Sequence, residues 1–138
     1  MTRTDFIAAA RGMLKTKFLH QGRLPGAGLD CAGLVVCAAR ACGYSVKDQA
    51  GYGRIPYNGQ FVAAVKEHCD VVPLNEVLPG DLMLFAYREG EQHIAIVTTN
   101  EPVMLIHAYS DVGEVVENGF DPLWQSRYRG CYRLRGIE

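Results

Sequence analysis

Leu29-Asp30-Cys31-Ala32-Gly33-Leu34-Val35-Val36-Cys37-Ala38-Ala39 is an apolar helical run opened by a cysteine. The approach to it, Gly22 to Gly28 with Pro25 inside, is rich in turn residues and stops at Cys31. Apolar side chains at 31, 34, 35, 38, 39 and 42 keep helical spacing, and Gly43 is placed to end the helix. Cys31 therefore falls in the first turn, where unpaired backbone N–H groups and the helix dipole favour an anion. A thiol there is expected to ionise more readily than free cysteine, whose pKa is about 8.5, and the thiolate is the nucleophile. The same N–H groups suit an oxyanion formed as sulfur attacks a carbonyl. A second reading stays open at this point: a buried cysteine heading an ordinary core helix.

With 138 residues and 15.2 kDa, the chain fits one domain, 1–138, large enough to bury a real core. Its 49% hydrophobic and 21% charged residues are ordinary globular composition. A net charge of −1 argues against a broad electrostatic grip on nucleic acid. Arg127, Arg129, Arg133 and Arg135 cluster near the end and read as a solvated strand face. Five cysteines leave at least one unpaired in any disulfide scheme, and their spacing offers no zinc pattern. Most sit on apolar faces, as expected in a reducing compartment. The apolar run Phe6 to Ala10 is short and meets Arg11, so no secretory signal is expected. No apolar run nears the ~20 residues that span a bilayer, so no membrane insertion is expected either. The expectation is a soluble chain made in the cytoplasm and, if it works outside, carried there by something else.

Residues 5–16 read as an amphipathic helix with Phe6, Ile7, Ala10, Met13 and Leu14 on one stripe and Thr4 or Asp5 as cap. Lys17 to Asp30 reads as loop, and Tyr44 to Tyr57 as polar and irregular, with Tyr52, Arg54 and Tyr57 as candidate groove or plain surface residues. Asn58 is placed to cap a short helix burying Phe61, Val62 and Val65. The period then changes from helical to alternating. Val71-Val72, Leu82–Ala86, His93–Thr98, Val103–Ala108, Val112–Val116 and Tyr128–Leu134 read as strands or strand fragments, a meander of about five. Helices first and strands afterwards imply an α+β domain with an antiparallel sheet.

A thiolate nucleophile needs a base, and the base needs a partner that fixes its ring. Of four histidines, His68 reads as a surface residue beside Glu67, and His20 lies in the approach loop. His93 and His107 each belong to an apolar strand. In a hairpin, facing residues have numbers with a constant sum. Pairing of 93 with 107 leaves a loop 99–101; pairing of 93 with 109 leaves a loop 100–102 and makes His107 a diagonal neighbour on the same face. A four-residue loop would separate the faces. The expectation is an odd-length connection with His93 and His107 side by side. Two core histidines satisfied by hydrogen bonds are the alternative.

Together, a helix-opening cysteine and two histidines on neighbouring strands make the part list of a papain-like thiol hydrolase. Cys31 would be nucleophile, His93 general base and then acid, and His107 the group orienting His93. Asp30 reads as a helix cap or loop-fixing carboxylate, and the backbone N–H of Cys31 as oxyanion donor. A thiolate–imidazolium pair is expected to form below the free-cysteine pKa.

The sequence resembles the NlpC/P60 family of cell-wall cysteine peptidases. The matching pieces come in family order: Gly28-Leu29-Asp30-Cys31-Ala32-Gly33-Leu34-Val35, Pro79-Gly80-Asp81-Leu82-Met83-Leu84-Phe85, His93-Ile94-Ala95-Ile96-Val97, and Leu105-Ile106-His107-Ala108. Trp124-Gln125-Ser126-Arg127-Tyr128 is similar to the family's closing segment. The resemblance implies a Cys–His–His triad of Cys31, His93 and His107. It implies hydrolysis of amide bonds in peptidoglycan stem peptides, often between D-glutamate and a diamino acid, with no metal and no organic cofactor. Phe18-Leu19-His20-Gln21-Gly22-Arg23 looks most like the subgroup encoded with phage tails, which implies phage tail proteins as partners and a place on the virion tail. Two positions depart from the pattern. A tyrosine usual about a dozen residues before the cysteine is missing, which leaves His20 or Gln21 as candidate oxyanion donors. Ala32 stands where serine is commoner. Two other readings use the same residues: acyl transfer or hydrolysis of another substrate by the same triad, or a structural tail component with incidental catalysis.

Overall fold

A computed structural model describes residues 1–48, 60–86 and 91–138, apart from the side chains of residues 60–62 and 91–92. Helix α1 (Arg3–Arg11) starts on Thr2, whose hydroxyl accepts the Asp5 N–H at 3.0 Å. The cap therefore precedes the expected Thr4 or Asp5. The helix also stops short of residue 16, because Gly12 and Met13 turn back onto the carbonyls of Ala8 and Ala10. Phe6, Ile7, Ala10 and Met13 are buried, whereas Leu14, past the helix end, is 38% exposed.

The stretch read as loop contains a small hairpin, β1 (Arg23–Leu24) with β2 (Gly28–Leu29). Helix α2 (Cys31–Ala41) follows, capped by Asp30. Its end is a Schellman motif. Gly43 (φ +76°) gives its N–H to Arg40, and Tyr44 gives its N–H to Ala39, both at 3.0 Å. Gly33 is required for a different reason: a Cβ there would stand 2.1 Å from the Gly22 carbonyl oxygen. Only glycine lets the approach loop press onto the first turn of α2. Helix α3 (Gln60–His68) carries the partly buried Val65, but its expected cap, Asn58, lies outside the described residues.

Among the described residues the sheet has six antiparallel strands: β3 (Cys69–Val72), β4 (Leu82–Ala86), β5 (Glu91–Asn100), β6 (Val103–Tyr109), β7 (Glu114–Gly119) and β8 (Tyr128–Leu134). Their order is β3-β8-β4-β5-β6-β7, which corrects the meander of about five. Only β4 to β7 run as a meander. The last strand returns to the middle through α4 (Pro122–Arg127), a helix too short to show a period in the sequence. Buried Asp81 ties β8 to the chain before β4, pairing with Arg133 at 2.8 Å and Arg3 at 3.0 Å. Arg133 thus leaves the solvated face expected of the arginine cluster.

Alternation divides the core between the two sides of the sheet. Leu82, Leu84, Ile94, Ile96, Ile106 and Ala108 pack with Phe6, Leu34 and Ala38 of the N-terminal helices. Met83, Phe85, Ala95, Val97 and Leu105 pack with Trp124 of α4. Both faces are covered, which is why Leu82–Phe85 reads as an unbroken apolar run. The architecture is the α+β class expected.

The β5–β6 connection differs from the expected odd length. The turn has two residues, Glu101 and Pro102, with Asn100 paired to Val103 and Thr99 to Met104. Beyond a bulge at Thr98 the pairs become Val97–Leu105 and Ile96–Ile106. One extra residue shifts the register by one and changes which face every later side chain takes. The bulge thus restores His93 and His107 to a common face. Thr98 is pinned by its hydroxyl, 2.7 Å from Glu117 Oε2, and Arg11 holds the same carboxylate.

Candidate active site

Asp30 organises the start of α2. Its Oδ1 accepts the Gly33 N–H at 2.8 Å and Arg23 Nη1 at 2.8 Å, and its Oδ2 accepts the Gln21 N–H at 2.9 Å. Arg23 also grips Asp48, through Nε at 2.8 Å and Nη2 at 3.2 Å. Cys31 occupies the first helical position and is half-buried, with the backbone N–H groups of Ile94 and Ala32 donating toward its sulfur. The sulfur therefore meets β5 at Ile94, the residue next to His93.

Burial pushes the Cys31 thiol up to about 12, and the Asp30 carboxylate adds to the push. The N–H groups of Ile94 and Ala32 and the Arg23 guanidinium pull the other way without cancelling it. The expectation of a readily ionised thiol is therefore overturned. The first-turn N–H groups act with the expected sign, but loss of water outweighs them.

His93 and His107 lie together. His93 Nε2 is 2.6 Å from His107 Nδ1, and His107 Nε2 is 2.5 Å from Asn118 Oδ1 on β7. Both rings are buried. Burial holds His93 well below the usual imidazole range, with positive charge at His107 and at Arg127 acting in the same direction. Burial lowers His107 to about 4, against the raising effect of its bond to Asn118. Near neutral pH both imidazoles are uncharged, so His93 can take up a proton.

An aromatic wall holds the two rings. Trp124 stacks on His93 at 5.3 Å and meets His107 edge-on at 4.8 Å, while Tyr109 stacks on His107 at 5.5 Å. Arg127 lies over the Trp124 ring at 5.1 Å. Asp121 caps α4 by accepting the Trp124 N–H, which sets where the indole stands. The sequence reading missed Asn118, Trp124 and Arg23 as site residues. The first two sit in short polar segments, and the pairing of Arg23 with Asp30 and Asp48 leaves no periodic trace.

Other expected residues fall elsewhere. His20 is half-buried in the turn before β1, and exposed Gln21 takes φ +60° with its N–H spent on Asp30. His68 is half-buried, its Nε2 accepting the Lys47 N–H at 3.4 Å. Tyr52, Arg54 and Tyr57 lie outside the described residues. Among the described residues no disulfide joins any of the five cysteines. Among the described residues no cluster of three His, Cys, Asp or Glu side chains could hold a metal ion, and no helix is long and apolar enough to cross a membrane.

Comparison with known proteins adds relatives to this geometry. The family model of the NlpC/P60 family matches residues 15–133. The gamma-D-glutamyl-L-lysine dipeptidyl-peptidase of Bacillus subtilis (strain 168) is 32% identical over 90 residues, 65% of this chain and 26% of that protein. An NlpC/P60 family protein from Bacillus cereus ATCC 10987 superposes with a TM-score of 0.75 at 20% identity, covering 96% of this chain and 40% of that one. The peptidoglycan hydrolase RipB from Mycobacterium tuberculosis gives 0.71 at 19% identity, covering 99% and 65%. The chain thus spans about a quarter of the curated relative it matches and less than half of the Bacillus cereus structure.

Proposed function

The chain belongs to the NlpC/P60 family, and from that membership we propose that it is a cysteine peptidase acting on amide bonds of peptidoglycan stem peptides. Cys31 is the nucleophile, His93 the general base and then acid, and His107 the group that steadies His93. One observation carries the reading: a thiol at the first position of α2 against the N–H of Ile94, next in the chain to an imidazole 2.6 Å from a second. The Bacillus subtilis relative is named for a bond between D-glutamate and lysine, which supports an amide beside D-glutamate as substrate.

Sulfur attacks the amide carbonyl as the thiol proton passes to His93. The oxyanion faces the first-turn N–H groups of α2, that of Cys31 among them, with His20 as a candidate side-chain donor. The C–N bond then breaks as His93 returns its proton to the leaving amine. Water, losing a proton to His93, cleaves the thioester and restores the thiol.

Mass spectrometry of products from defined muropeptides tests this with wild type, Cys31→Ala and His93→Ala. Cleavage by wild type, lost in both variants, is the expected result; full activity of Cys31→Ala would end the proposal. The narrower reading, an enzyme carried on a phage tail to open the wall locally, rests on the Phe18–Arg23 stretch. Finding the chain in purified tails would support it, and tails lacking it would remove it.

A further inference from the structure

Val116 on β7 is the register partner of His107, and Asn118 stands two residues further, on the same face. The Asn118 amide makes two contacts that cannot be exchanged. Its Nδ2 donates to the Gly119 carbonyl at 3.1 Å, and its Oδ1 lies 2.5 Å from His107 Nε2. Turned over, the amide would set its oxygen against the Gly119 oxygen, two acceptors with no proton between them. A carbonyl has no tautomer, so Gly119 settles the orientation of Asn118.

Two imidazoles follow in sequence. Oδ1 only accepts, so His107 Nε2 carries a proton. His107 is neutral near pH 7, which leaves its Nδ1 bare. A bare Nδ1 only accepts, so the proton of their 2.6 Å bond sits on His93 Nε2. His93 is neutral too, and its remaining nitrogen, Nδ1, holds a lone pair.

We propose that Asn118 is a positioning residue that sets the tautomers of both histidines and so leaves His93 Nδ1 as the atom that takes the Cys31 proton. The inference rests on the reading of His93 as base to Cys31. The step balances: the S–H bond breaks, an Nδ1–H bond forms, and the Nε2–H bond to His107 is kept, so no second proton moves. The imidazolium charge is then met by His107 and, beyond it, by the Asn118 oxygen. Without that oxygen, His107 is released to donate from Nδ1, His93 Nε2 becomes the acceptor, and the proton of His93 turns toward the thiol.

Nitrogen-15 NMR of the histidine rings tests this in the full chain, with wild type, Asn118→Asp and Asn118→Leu. Wild type should show protonated Nε2 and bare Nδ1 on both rings. Asn118→Asp keeps an acceptor toward His107, although its second oxygen meets the Gly119 carbonyl, so it should keep Nε2 of His107 protonated and lower kcat less than Asn118→Leu does. Asn118→Leu should mix the tautomers and lower kcat by about 10- to 100-fold with KM within about twofold, short of the ~10⁴ that a wholly wrong tautomer costs a hydrolytic triad. The reverse tautomers in wild type, or unchanged kcat in Asn118→Leu, would overturn the proposal. If Asn118→Leu fails to fold, the wild-type spectrum and Asn118→Asp still decide. Full activity in Cys31→Ala would strike the peptidase reading instead and leave the tautomer spectra standing.

Discussion

Arg23 meets the carboxylate that caps the Cys31 helix, with Nη1 2.8 Å from Asp30 Oδ1. The contact joins the approach loop to α2 and sets two opposed charges beside one sulfur. The Asp30 carboxylate raises the thiol, and the Arg23 guanidinium lowers it. Asp30→Asn keeps an acceptor for the Gly33 N–H but removes the charge, and should speed alkylation of Cys31 by iodoacetamide at pH 8. Arg23→Gln should slow it. Equal rates in the two variants would mean that neither charge reaches the sulfur. Asp30→Ala, which loses the cap as well, should cost about 2–4 kcal/mol in urea unfolding.

A second prediction concerns where the thiol proton rests. The Cys31 thiol stands at about 12 and His93 below 6.5, a gap of more than five pH units. A thiolate and imidazolium about 4 Å apart attract by about 4 kcal/mol at an effective dielectric near 20, worth about three units. The neutral pair therefore wins at rest, and under the proposed mechanism the proton moves only as sulfur attacks. Cys31 alkylation should rise steadily with pH from 6 to 9. A plateau in that range, the mark of a preformed ion pair, would overturn this.

Much of the site was legible because its parts obey local rules. Cys31 stands where apolar helical spacing begins, and His93 and His107 sit in runs of period 2. The common face of the two histidines was expected, but through an odd-length loop rather than a two-residue turn and a bulge at Thr98. A bulge leaves no mark in apolar alternation when the extra residue is a buried threonine. Nothing in the sequence marks Asn118, since Asn118-Gly119 is a turn-like pair and not one that suggests the end of a strand. The thiol's acidity was misjudged for a physical reason. Helix position gives the sign of the dipole's effect, whereas burial, which decides the outcome, depends on strands 60 residues away that sequence spacing does not place.

Stability should fall between pH 6.5 and 4.5. His107 binds a proton near 6.5 when unfolded but only near 4 when folded, so the unfolded chain holds more protons in this window. The neutral ring's contribution is complete above pH 6.5 and is lost as pH drops toward the folded value. The full 2.5-unit difference corresponds to about 3 kcal/mol, and His93 adds in the same direction. Asp81 and Glu117, both lowered from ordinary carboxylate values, titrate below this window. Urea unfolding of wild type and His107→Gln at pH 7 and 4.5 checks this: the variant should lose less on acidification. An equal loss in both would assign the acid sensitivity elsewhere.

Trp124 offers a test in which stability and catalysis move for one reason. The indole is 2% exposed and lies against both imidazoles, so it keeps water from the ring proposed as the base. Trp124→Leu should cost about 2–4 kcal/mol in buried surface and aromatic contact. It should also admit water to His93. Burial is the largest cause of that ring's low affinity for protons, so relief of burial raises it. The acid limb of kcat/KM reports protonation of the base in the free enzyme, and it should therefore move to higher pH in the variant. A limb that stays in place while the melting temperature drops would leave Trp124 a packing residue with no hand in the chemistry. A limb that moves down would mean that something other than lost solvation holds His93 neutral.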